Sequence, residues 1–245
     1  MPPEVSALAK LYLFQLSTAS KPLGKGRTLE MVLGCYLVET LTGNRILIDT
    51  GIAPDAINSG STQSQIRSNV IEQLAELGLQ PSDIGTAICT HFDIDHAGYH
   101  DSFPAAEFIV QRAHYDLART GHPRFAVSRA HWDHPALHYR LVDGDTEILP
   151  GLTLLETSGH TTGHQSVLLR LPRTGPVLLA IDAVMMERLF TPSRNAWPVD
   201  ENEEQLRAST QKLLDIAEKE KVALVVFGHD GLQWRTLMKA PDFYD

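Results

Sequence analysis

Apolar residues in this chain gather in short runs separated by glycine, proline and charged residues. Runs at 11–16, 34–40 and 44–49 read as strands, with Thr42-Gly43-Asn44 as the turn between the last two. Strands also follow at 107–110 and 152–155, then a hairpin of 165–171 and 176–181 around Pro172-Arg173-Thr174-Gly175, then 221–227. Two stretches change period. Across 64–77, Ile66, Val70, Ile71, Leu74 and Leu77 fall on one face of a helix. Asp200 with Glu203 three residues later reads as a capping box opening a helix that runs to Lys219. Strands and helices mixed in this order, in two strand-rich halves, predict an α+β sandwich of two sheets with helices outside, as one domain over 1–245.

The stretch 113–139 keeps neither period. It holds His114, His122, His131, His134 and His138 beside Tyr115, Trp132 and Tyr139, at spacings that match no metal-binding frame, and reads as histidine-bearing loop over the surface.

Composition narrows the field. With 43% hydrophobic and 21% charged residues, the chain has ample core for a globular fold. A net charge of −9 argues against nucleic acid as a partner. No run approaches the roughly 20 apolar residues that span a bilayer. Met1-Pro2-Pro3-Glu4 lacks the basic and apolar stretches of a secretory signal, so a cytoplasmic protein is expected. Cys35 and Cys89 lie in apolar runs and read as free, buried thiols.

The chemistry concentrates after the apolar run Ala87-Ile88-Cys89, in His91-Phe92-Asp93-Ile94-Asp95-His96. Four metal-binding groups in six residues at a strand end are what a metal site mounted on a sheet requires. Three more such groups recur in similar places: His160 in Ser158-Gly159-His160-Thr161-Thr162-Gly163-His164, Asp182 after 177–181, and His229 after Val225-Val226-Phe227-Gly228. Asp49, in Asp49-Thr50-Gly51, reads equally as a turn cap and as a carboxylate behind a metal histidine. Gly163 and Gly228 read as tight turns beside these groups.

This order of motifs resembles the metallo-β-lactamase superfamily, and within it the N-acyl homoserine lactonase branch, from Asp49 through Phe227-Gly228-His229-Asp230 to Gln233-Trp234 and Pro241-Asp242-Phe243-Tyr244. The resemblance implies an αβ/βα four-layer fold and two divalent metal ions, zinc foremost. It gives His91, Asp93 and His160 to the first ion, Asp95, His96 and His229 to the second, and makes Asp182 the bridge. A hydroxide between the ions opens a small lactone or related ester, quorum-quenching fashion, with Asp95 moving the proton. His100 and His164 read as structural histidines or as supports behind the ligands, not as ligands, and a homodimer is left open.

Two positions depart from the branch. Asp93 stands where histidine is usual, which hardens the first site and favours manganese or iron more than a histidine does. Met185 stands three residues after Asp182, where a tyrosine is frequent, and has no proton to offer a carbonyl. Met185 and Trp132 are the expected substrate-pocket residues. Alternatives on the same fold are a phosphotriester or aryl-ester hydrolase, a non-haem iron oxidoreductase, and a binding protein that keeps the metal frame without catalysis.

Overall fold

Alternation along the strands sorts side chains onto two faces of each sheet, and the computed structural model, which describes residues 6–24, 27–53 and 63–245, shows both faces used. In β1 (Leu8–Gly24), Leu11 and Leu13 enter a central core, while Tyr12, Phe14 and Leu16 face a second cluster on the other side. In β2 (Arg27–Thr40), Tyr36 and Val38 point to the first and Cys35 and Leu37 to the second. The facing sheet repeats the rule: in β10 (Gln165–Leu171) and β11 (Gly175–Ile181), Val167, Leu169, Val177 and Leu179 fill the same central core, and Leu168, Leu178 and Ala180 face outward. Residues of both sheets thus share one interior. Helices cover the outside: α1 (Val70–Glu76) over the first sheet through Val70 and Leu74, and α4 (Glu203–Lys219) over the second through Leu213. The result is the expected α/β/β/α layering.

The first sheet runs β4 (Gln63–Ile66), β1, β2, β3 (Arg45–Ile48), β5 (Thr86–Ile88), β6 (Glu107–Gln111), β7 (His138–Val142). The second runs β12 (Leu224–Phe227), β11, β10, β9 (Leu152–Glu156), β8 (Thr146–Leu149). Strands β3, β5, β6 and β7 are mutually parallel, as are β11 and β12. Parallel strands finish at the same edge, so Asp49, His91, Asp182 and His229, each just beyond such a strand, are delivered to one end of the sandwich.

Several expected elements differ. Residues 63–66 form β4, paired antiparallel with β1, so the helix expected over 64–77 shrinks to Val70–Glu76. Asn69 starts it: its side chain accepts from Glu72 N and Glu72 Oε2 accepts from Asn69 N, both at 3.0 Å, which fixes the first turn at that point. The long helix is capped by Asn202, whose Oδ1 accepts from Gln205 N at 2.9 Å, not by Asp200. The stretch 113–139 is ordered structure: α2 (Arg112–Arg119), α3 (Arg129–Trp132) and the start of β7 lie along it. Ala118 and Trp132 of these helices, with Phe125 from the turn between them, cluster with Phe92. No helix among the described residues is long and apolar enough to cross a membrane. Cys35 and Cys89 are buried and unpaired.

Candidate metal centre

Four histidines converge, and each is held by its Nδ1. His91 Nδ1 lies 3.0 Å from Thr90 Oγ1, whose own proton goes to Asp49 Oδ2 at 2.7 Å. His96 Nδ1 lies 2.8 Å from Asp49 Oδ2, His160 Nδ1 2.8 Å from Asp200 Oδ1, and His229 Nδ1 2.8 Å from the Val32 carbonyl. An acceptor behind each ring fixes its orientation and turns Nε2 to the centre, the arrangement that metal-binding histidines need. Asp49 therefore supports a site histidine instead of capping a turn.

The Nε2 atoms meet three carboxylates in three overlapping groups whose ligand atoms lie within 4.8 Å of one another: His91, Asp93 and His160; His91, His96 and Asp182; Asp95, His96 and His229. Asp182 sits between the sets. Its Oδ1 lies 3.0 Å from His229 Nε2 and 3.6 Å from His96 Nε2, and its Oδ2 lies 3.3 Å from His160 Nε2. Asp95 stands at the rim, 3.7 Å from His229 Nε2 and 3.8 Å from His96 Nε2.

The chain at Ile181 shows how tightly Asp182 is placed. Ile181 has φ 51°, a left-handed conformation that costs a β-branched residue about 1–3 kcal/mol. Gly228 passes so close that a Cβ there would lie 2.8 Å from Asp182 Oδ1 and 2.7 Å from the Ile181 carbonyl, so any side chain at 228 would push Asp182 aside.

The residues fit a divalent cation. His91 Nε2, His96 Nε2 and Asp182 Oδ1 are buried without a hydrogen bond, a costly state for polar atoms unless something else binds them. The local field asks for positive charge as well. Burial disfavours charge on His96, but Asp95, Asp182 and Asp49 outweigh it and raise the imidazole to about 10. Burial likewise opposes ionisation of Asp182, yet His229, His96 and His160 hold it well below the usual carboxylate range. Protons and metal ions compete for such a cluster.

Two other histidines of the region, His164 and His114, have both nitrogens engaged by the protein. His164 Nδ1 meets Thr157 Oγ1 at 2.9 Å and its Nε2 accepts from Asp182 N at 3.2 Å, so it holds the backbone of the central carboxylate. His114 Nδ1 donates to the Thr162 carbonyl at 2.8 Å and its Nε2 accepts from Phe92 N at 2.7 Å, stitching the 91–96 loop to the 158–164 turn. It is fully buried, not the surface loop histidine the sequence suggested. Trp132 is corrected too: it is 1% exposed, stacked on Phe92 at 4.6 Å, and its Nε1 donates to the Phe125 carbonyl. Met185 is 2% exposed and its carbonyl accepts from His229 N at 2.9 Å. Neither borders the cavity that opens on Asp93 and Asp95. That cavity, about 560 Å³, is lined by Ile94, Pro123, Pro198 and Val199 together with His122, Arg124 and Glu201.

Three residues had no functional reading in the sequence. Asp200, with a fully buried side chain, orients His160. Arg194 is buried beside it, Nη2 lying 3.8 Å from Asp200 Oδ2 while Nη1 donates to the Ala183 carbonyl. Arg124 grips Asp93 through Nε to Oδ1 at 2.6 Å and Nη2 to Oδ2 at 2.5 Å. A 31-residue gap hides this pairing from any sequence pattern.

Burial pushes His114 down to about 4 and His100 down to about 3. In the unfolded chain both sit near 6.5. Their contribution is therefore complete above pH 6.5 and is lost as pH falls towards 4, because only the unfolded chain then takes up these protons. The urea midpoint should fall over that window. In His114→Gln the slope should be shallower by up to about 1.4 kcal/mol per pH unit. Equal slopes in the two proteins would show that His114 titrates freely.

A sequence model of the metallo-beta-lactamase superfamily matches residues 35–229. An N-acyl homoserine lactonase from a Bacillus species is 34% identical over 240 residues, covering 93% of this chain and 92% of its own. The structure of a Bacillus thuringiensis AiiA variant with N-decanoyl-L-homoserine at its active site aligns with a TM-score of 0.85 at 28% identity, covering 97% of this chain and all of that one. An N-acyl homoserine lactone hydrolase with N-hexanoyl-L-homoserine at its catalytic metal centre aligns with a TM-score of 0.84, also at 28% identity, over 97% and 100% of the two chains.

Proposed function

Because the chain belongs to the metallo-β-lactamase superfamily, in its N-acyl homoserine lactonase-like branch, we propose that it is a metal-dependent hydrolase that opens lactones in the quorum-quenching manner. The observation that carries this reading is the set of four histidines whose Nδ1 atoms are all engaged behind the ring, their Nε2 atoms facing Asp93, Asp95 and Asp182. We assign His91, Asp93 and His160 to one subsite, Asp95, His96 and His229 to the other, and Asp182 to both, for divalent ions with zinc foremost. Bound there, the ions polarise a carbonyl oxygen and bring the pKa of water towards neutrality.

The chain's own groups do the rest. Asp95, the rim carboxylate with 21% of its side chain exposed, takes up a proton and returns it to the leaving ring oxygen. Asp49 and Asp200 keep His96 and His160 aligned through the cycle. Ile94, Pro123, Pro198 and Val199 give the cavity an apolar wall suited to a neutral acylated ring.

The test is hydrolysis of acyl homoserine lactones, aryl lactones, aryl esters and phosphotriesters by metal-loaded protein, followed by acid release. Ring opening of acyl homoserine lactones is expected to be fastest. Activity confined to phosphotriesters, or none on any ester, would overturn the reading.

A further inference from the structure

Arg124 stands where a first metal ion would be held. Its Nη2 lies 2.5 Å from Asp93 Oδ2 and 2.8 Å from His160 Nε2, two of the three atoms that define the first subsite. All five N–H donors of the guanidinium have acceptors. Nε donates to Asp93 Oδ1 at 2.6 Å, Nη1 to the Val199 carbonyl at 2.7 Å and the His160 carbonyl at 3.1 Å, and Nη2 to Asp93 Oδ2 and His160 Nε2. Glu201 adds charge 3.5 Å from Nη1. A side chain satisfied at every donor is built into its place.

Among the site's ligand atoms, His91 Nε2, His96 Nε2 and Asp182 Oδ1 are buried without a hydrogen bond, whereas Asp93 and His160, the other two members of the His91 subsite, already have a cation. The departure at position 93 acquires a reason here. A carboxylate accepts the guanidinium fork at both oxygens, which an imidazole cannot do. Arg124 and Asp93 explain each other.

Resting on the metal-centre reading above, we propose that Arg124 is a tethered cation that competes with a metal ion for Asp93 and His160, so that the two subsites load unequally. A guanidinium and a divalent ion cannot share those two ligands, since like charges so close in a partly dry site repel strongly. Among the described residues, no Lys or Arg side chain pairs with Asp95, His96, His229 or Asp182 in this way, so that subsite has no such competitor. Entry at His91, Asp93 and His160 requires Arg124 to withdraw.

The experiment is zinc titration of the full-length, metal-stripped protein against a chelating indicator, with anomalous diffraction to place each ion. The wild-type chain should bind one ion tightly and a second at least about 100-fold more weakly, the second lying among His91, Asp93 and His160. Arg124→Gln should narrow that gap by about tenfold or more, equivalent to 1.4 kcal/mol. Arg124→Lys, which keeps the charge but lacks the fork and disturbs the fold less, should fall between. Two equal sites in the wild type would overturn the proposal, as would a weaker second site in Arg124→Gln, which would make Arg124 a support for the ion. Either result leaves the metal-dependent reading standing. Failure of every variant to bind zinc would sink both.

Discussion

Asp182→Asn should lower turnover by about three orders of magnitude or more, equivalent to about 4 kcal/mol of transition-state stabilisation. The side chain is nearly isosteric, so the fold has little to accommodate, but the charge disappears from the centre of the cluster. Asp182 is 3% exposed and touches both histidine sets, His229 at 3.0 Å and His160 at 3.3 Å. It is the one carboxylate placed to belong to both subsites, so its loss should weaken both together. Elemental analysis should show less than one retained ion per chain after dialysis. His96 gives an independent reading: part of what lifts it to about 10 is Asp182, so in the metal-free variant its titration, followed by NMR, should move down. A variant within tenfold of wild-type turnover and with full metal content would show that Asp182 does not bridge.

How much of this was written legibly in the sequence depends on how local each signal is. The alternation of apolar residues in β10 and β11 marks buried strands without help, because burial on two faces is encoded in consecutive residues. The site groups were equally legible, since His91, Asp182 and His229 each follow a strand that must end where its parallel neighbour ends. What failed was anything set by a partner far along the chain. Asp200 has the spacing of a helix cap, yet its carboxylate turns to His160, and Asn202 two residues later caps instead. Residues 64–66 keep a helical stripe, yet β1 offers a free edge and draws them into a strand. His114 looked like one loop histidine among several, and nothing nearby announces that it bridges Phe92 and Thr162. Arg124 and Asp93 are informative only as a pair.

The same distinction separates two kinds of support for His160. Asp200 is held from one side by Trp197 N at 2.6 Å and faces the buried Arg194 on the other. That group sits outside the cavity and touches no substrate position, so it acts through the imidazole. Arg124, by contrast, contacts the same imidazole from the cavity side, with 18% of its side chain exposed. One fixes the ring from behind; the other contends for its front.

Asp95→Asn should lower kcat by about 10²–10⁴ while KM changes little. The amide oxygen still offers a lone pair towards the ion shared with His96 and His229, whereas the amide cannot accept a proton and hand it on. Asp95 suits that transfer: it lies near His229 and His96, at 3.7 and 3.8 Å, no other group among the described residues grips it, and it opens on the same cavity as Ile94 and Val199. Asp93 is tied to Arg124 and Asp182 is buried among histidines, so neither is free to carry a proton to the leaving oxygen. Retained metal separates this role from simple ligand loss, and it should be measured on the same sample as the rate. A leaving group of lower basicity needs less protonation, so an aryl lactone should suffer less in the variant than an alkyl lactone does. Full metal content with kcat within about threefold of the wild type on both substrates would assign the proton to another group.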